Sequence, residues 1–122
     1  MTYDSLGRRM GGFGAQRYRG WPQRIPVLQE FVRFRWDPRK AKQNERKHGV
    51  TFEEASTCFD DPNGCYFRNE APSYEDRLIL IGLSSKARLL FVVHAEVERD
   101  AIRIVSARRA TRAQRRVYEG LD

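Results

Sequence analysis

The sequence predicts an α+β fold: an antiparallel meander of about four strands, with helices ahead of it and one helix after it. Two observations carry that reading. Apolar runs rich in Leu, Ile, Val and Phe follow one another at 77–84, 88–97 and 101–109, joined by tight turns. Connections that short join antiparallel neighbours, because a parallel pair needs a crossover of about a dozen residues or more. The runs are flanked by polar stretches carrying helix start signals, "DPRK" before them and "TRAQ" after them. The helices are expected to cover one face of the sheet.

Each element follows in order. Residues 1–30 mix Gly, Arg, Pro and aromatics with no helical or strand period, and read as a basic, disordered extension before a domain spanning 31–122. "FVRFRW" (31–36) is rich in strand formers and makes a short first strand. Asp37 and Pro38 suit the N-cap and first position of a helix, "PRKAKQNERKH", which stops at Gly49, a left-handed C-cap. Ala41 is its sole apolar residue. A helix with no apolar stripe is not held by ordinary core packing, so it is a solvated spacer or a carrier of polar side chains to a site. Thr51-x-x-Glu54 is a capping box, and Phe52, Ala55, Cys58 and Phe59 follow at core-facing helical spacing. "DDPNG" breaks the chain, "CYF" forms a short strand, and 69–76 is a polar loop. After the three strong strands, Thr111-x-x-Gln114 is another capping box, opening a strongly basic last helix.

A length of 122 residues fits one domain around one core. The net charge of +7, mostly from arginine, favours polyanionic partners: nucleic acid, or an acidic protein surface. No apolar run approaches the roughly 20 residues of a membrane span, and the N-terminus lacks a secretory pattern. Cys58 and Cys65 fit no metal spacing and no C-x-x-C motif, and read as reduced, half-buried thiols. Neither histidine belongs to a ligand pair, so no metal is expected. No glycine-rich loop joins a strand to a helix, and no serine sits in G-x-S-x-G, so neither a nucleotide cofactor nor a serine nucleophile is expected.

The chemistry concentrates at two places. Regular alternation in the last strand puts Ile102, Ile104, Ser106 and Arg108 on one face, with Arg103, Val105, Ala107 and Arg109 on the other. Arg108 and Arg109 then reach one ligand only if the strand ends or bulges near Ala107. A strand end leading into a helix N-terminus favours phosphate, through free amides and the helix dipole. Arg112, Arg115 and Arg116 read first as a solvated face. The second place is "ERKHG", where Lys47 and His48 close the polar helix, at the end where the dipole favours a cation. His48 is either a group able to move protons or a cap for last-turn carbonyls. His94, within the best strand, reads as structural.

These residues lie in a larger pattern. "FRWDPRKAKQNERKHGVTFEEAS", then "FDDP", "LILIGLS", "RLLFVVHAEV" and "IRIVSARRATRAQRRVYE" together resemble the BrnT family of bacterial type II toxins, in matching order, over roughly 34–119. The extension at 1–30 departs from that pattern. The resemblance implies a RelE-like α/β ribonuclease of the bacterial cytoplasm that needs no cofactor. It also implies a hetero-oligomer with a BrnA-type antitoxin, which neutralises the toxin and carries the complex to promoter DNA.

A metal-free ribonuclease directs the ribose 2′-hydroxyl at the adjacent phosphorus. It needs a base, an acid for the leaving 5′-oxygen, and cations around the developing charge. The residues offer Arg108 and Arg109 as phosphate clamps, Lys47 as transition-state cation or proton donor, and His48 as acid or base. Glu75 and Arg77 are weaker candidates, and Arg103 and Arg112 extend the RNA-binding surface. Trp36 either stacks a base or anchors the first helix. The assignment requires the Lys47 helix and the Arg108 strand to share one cleft. Two rivals remain: a non-catalytic basic binder, and a degenerate toxin acting only within a repressor complex.

Overall fold

A computed structural model describes residues 33–69, 77–98 and 101–121. The expected extension at 1–30, the candidate Glu75 and most of the turn after the second strong strand lie outside them. In chain order the elements are β1 (Arg33–Arg35), α1 (Pro38–His48), α2 (Phe52–Thr57) running into a 3₁₀ turn (Cys58–Asp60), β2 (Cys65–Arg68), β3 (Leu78–Leu83), β4 (Leu89–Glu98), β5 (Ala101–Arg109) and α3 (Arg112–Tyr118).

The helix ends follow the cap signals. Asp37 accepts a hydrogen bond from the Arg39 N–H at 2.8 Å, and Gly49 closes α1 in the left-handed region at φ 71°. At α3 the box is complete, Thr111 and Gln114 each accepting from the other's backbone N–H. At α2 half of the expected box forms. Thr51 caps the Glu54 N–H at 3.0 Å, but the Glu54 carboxylate turns inward to Arg88 and Ser84. A half-buried guanidinium outcompetes a local backbone amide there.

The sheet has five strands in the order β1-β5-β4-β3-β2. The run from β2 to β5 is the expected antiparallel meander, but β1 lies parallel to β5, pairing Phe34 with Ile102, so the sheet is mixed rather than antiparallel. The whole domain separates β1 from its partner, and a separation of that length permits the parallel arrangement that tight turns forbid.

The helices also divide between the two faces instead of covering one. Helices α1 and α2 lie over Leu80, Leu90, Val92, Ile102 and Ile104, enclosing the main core with Val50, Phe52 and Ala55. Trp36 packs edge-on against Phe52, with 5.9 Å between ring centroids. Helix α3 sets Val117 and Tyr118 against Cys65, Ile81 and Leu89 on the opposite face, and Tyr118 donates to Asp61 at 2.7 Å. His94 is fully buried, edge-on to Phe59 and Tyr66. Both cysteines are fully buried, and burial pushes the Cys58 thiol up to about 12, which keeps it protonated.

One irregularity changes what β5 presents. Ser106 pairs with Val93 and Ile104 with His94, leaving Val105 as an extra residue in a β-bulge. The bulge shifts the pleat by one, so Ala107 joins Ile102 and Ile104 in the main core. Ser106 and Arg108 exchange faces with Ala107 and Arg109, relative to simple alternation.

Candidate active site

The site begins with the question of what holds α1. Its apolar contribution to the core is the half-buried Ala41, and its buried residue is Asn44. Strand β1 pairs with β5 only as far as Arg103, so beyond that point β5 has an open edge. Asn44 fills it as a strand would. Its side-chain amide donates to the Ala107 carbonyl at 2.8 Å and the Val50 carbonyl at 3.0 Å, and its oxygen accepts from the Ala107 N–H at 3.1 Å. Both amide protons are used, so the side chain fixes the position of α1 rather than merely filling space.

A second polar link holds the end of the helix. Arg88, just before β4, donates to the Gly49 carbonyl at 3.2 Å and binds both oxygens of Glu54 in a fork. Ser84 donates to the same carboxylate at 2.7 Å. The Arg88 guanidinium holds the Glu54 carboxyl below the usual carboxylate range, outweighing the opposing effect of burial. The chain Glu54–Arg88–Gly49 thus ties α2, the β3–β4 turn and the C-terminus of α1 together.

With α1 so placed, a cleft of about 270 Å³ opens between it and the bulged part of β5, lined by Lys40, Gln43, Asn44, Lys47, His48, Val105 and Ser106. The helical members fall at i, i+3, i+4, i+7 and i+8, one face of an α-helix. Lys40 and Lys47 are exposed and form no ion pair among the described residues, and His48 is half-buried beside them. Two ammonium groups, an imidazole and the Ser106 hydroxyl can together hold a phosphodiester and pass protons to its oxygens.

Of the residues singled out from sequence, Lys47 and His48 line this cleft, and the arginines of β5 do not. Arg108 lies on the α3 face, its guanidinium carbon 4.4 Å from the centre of the Phe91 ring, in cation–π stacking. Arg109, opposite Leu90, points toward the α1–α2 side and is exposed at the strand end. The bulge falls at Val105, too early to bring the two together: alternation resumes beyond it and sends them apart. The expected convergence of Lys47 and Arg108 is therefore absent. Arg103 pairs with Ala95 and Arg35, Arg77 is half-buried just ahead of β3, Arg112 is exposed at the start of α3, and Trp36 sits against the core. Sequence reasoning missed Lys40, Gln43, Asn44 and Ser106. The signal for the first three was present: the 40-43-44-47-48 spacing that marks an apolar stripe is here occupied by polar groups.

The architecture and the cleft define a small, basic α+β domain suited to a phosphate-bearing ligand. Residues 36–114 match the model of BrnT, the ribonuclease toxin of type II toxin–antitoxin systems, and the chain belongs to that family. It is similar to the crystal structure of the Brucella abortus ribonuclease toxin BrnT, at 24% identity and a TM-score of 0.49, over 66% of this chain and 99% of that one. No curated protein matches the sequence. Membership in a type II toxin family implies an antitoxin partner. Among the described residues, no helix is long and apolar enough to cross a membrane, and no group of three or more His, Cys, Asp or Glu side chains is placed to hold a metal.

Proposed function

We propose that the protein is a metal-independent endoribonuclease toxin that cleaves RNA in the α1–β5 cleft. One observation carries the reading: Lys40, Lys47, His48 and Ser106 line one cleft in a chain whose family is that of ribonuclease toxins. Lys40 and Lys47 bind the scissile phosphate and offset the charge that grows on its oxygens. The ribose 2′-hydroxyl attacks phosphorus and loses its proton, the bond from phosphorus to the 5′-oxygen breaks, and that oxygen is protonated. His48 serves one of the proton transfers and Lys47 neutralises the transition state. Arg109 steers the substrate from the strand end, while Arg108, Arg77, Arg103 and Arg112 add long-range attraction for RNA. A BrnA-type antitoxin silences the toxin and links the complex to promoter DNA.

Lys47→Ala tests the centre. Lys47 is exposed, so the melting temperature should stay unchanged, while RNA cleavage by the purified protein falls by roughly 10²–10⁴-fold. Growth arrest on induction without the antitoxin should disappear with it. Undiminished cleavage in the variant would move the site elsewhere; RNA bound but uncut by the unaltered protein would favour the non-catalytic reading.

A further inference from the structure

Helix α1 carries more charge than its cleft uses. Arg39, Lys40, Lys42, Arg46 and Lys47 are all exposed, and none forms an ion pair among the described residues. At about 100° per residue these five cations occupy one continuous arc of roughly 160°. Lys40 and Lys47 form its edge at the cleft, Gln43 lies between, and Arg39, Arg46 and Lys42 continue it outward. Glu45, the sole acid of the helix, stands beyond the far edge of that arc.

The arrangement opposes the helix's own electrostatics in its first turn, whereas Arg46 and Lys47 lie in the last turn, at the end the dipole favours. The first turn contains no acidic residue and carries Arg39 and Lys40, although the dipole favours anions there. Arg39, Lys42 and Arg46 follow at three- and four-residue spacing, where like charges repel. Charges kept at such cost, with no ion-pair partner among the described residues, suit a negative array from outside. From Arg39 to Arg46 the helix rises about 10 Å, longer than the interval between successive phosphates of a strand.

We infer that Arg39, Lys42 and Arg46 form a phosphate track carrying the single-stranded RNA that flanks the scissile phosphate. This rests on the reading of the cleft as a ribonuclease centre. The track receives the backbone without reading bases, and delivers the strand across Gln43 into the cleft.

The test is a salt titration of poly(U) binding to the full chain, comparing the unaltered protein with the triple variant Arg39→Gln, Lys42→Gln, Arg46→Gln. Each lost phosphate contact lowers the slope of log affinity against log salt by about 0.7 for a single strand, so the triple variant should show a slope shallower by roughly 2. In cleavage assays KM should rise by a larger factor than kcat falls. An unchanged slope, in a chain that still cleaves RNA, overturns the track and leaves the cleft standing. An unchanged slope with weakened binding of the antitoxin overturns it in favour of a protein-docking face. Failure of the unaltered protein to bind poly(U) at all overturns track and ribonuclease reading together.

Discussion

Helices α1 and α2 are neighbours in the chain and lie on the same face of the sheet, yet different forces hold them. Helix α2 is short, and Phe52 and Ala55 are fully buried in the main core. Helix α1 is nearly twice as long and has only the half-buried Ala41 in contact with that core. Apolar burial is strong but non-directional, whereas a hydrogen-bonded amide is weaker and fixes position to a few tenths of an ångström. The scaffold helix uses the first. The helix that carries the candidate chemistry uses the second, through Asn44 and the Gly49–Arg88 link.

That division places the largest loss of stability in α2. Phe52→Ala removes a fully buried ring that also meets Trp36, and should cost about 3–5 kcal/mol in denaturant unfolding. A domain of ordinary stability loses a large part of its margin at that cost. A loss near that of a surface substitution would mean that α2 is not the apolar anchor.

Arg88→Ala sharpens the comparison, because Arg88 touches both helices. It strands the nearly fully buried Glu54 carboxylate and frees the Gly49 carbonyl, and should cost about 3 kcal/mol near neutral pH. The pH dependence carries the mechanism. In the unaltered protein Glu54 titrates below its ordinary value of 4.5, so its stabilising contribution is present above that pH and is lost as pH falls through the lower folded value. Without Arg88 the carboxyl loses the largest influence that lowers it, and burial is opposed only by the Ser84 hydrogen bond and the charge of Lys86. Its stabilising contribution is then reduced at neutral pH, and the deficit relative to the unaltered protein shrinks as acidification protonates the carboxyl. Unfolding curves for the two proteins should converge as pH falls through 4.5 toward the lower folded value of Glu54; a constant gap would show that Arg88 acts through packing alone.

The contrast between the helices also explains what the sequence could reveal. Strands β3 to β5 and the caps at Asp37, Gly49 and Thr111 are legible because their causes are local: periodicity, turn chemistry and the geometry of a helix end. The β1–β5 pairing joins residues at opposite ends of the domain, and no local pattern encodes it. The bulge at Val105 is silent for another reason. Branched and small residues fill both faces of β5, so a shift of one leaves the pattern plausible while it exchanges Arg108 and Arg109. Glu54 carries a capping-box signature whose side chain is claimed by an arginine 34 residues away. Of the site, Lys47 and His48 were legible because a helix without an apolar stripe demands an explanation. Asn44, which supplies that explanation, looks in sequence like any other polar residue of an exposed helix.

Asn44→Ala should have the smallest effect on global stability of these changes and a large effect on activity. It removes two hydrogen bonds at the edge of β5 and one to Val50, but the freed groups of Ala107 and Val50 can be rehydrated once α1 lifts, and alanine improves the helix itself. The net loss in unfolding should be about 1 kcal/mol. Hydrogen exchange should show the change where global unfolding does not, with α1 amides exchanging faster while those of β3 and β4 keep their protection. RNA cleavage should fall with the protection of α1, because Lys47 and His48 are no longer held in place along the cleft they line with Ser106, and a shift of an ångström in a catalytic group is costly. Unchanged α1 exchange would show that Ala41 and the Arg88 link suffice to place the helix, and the distinction between a helix held by packing and one held by aim would collapse.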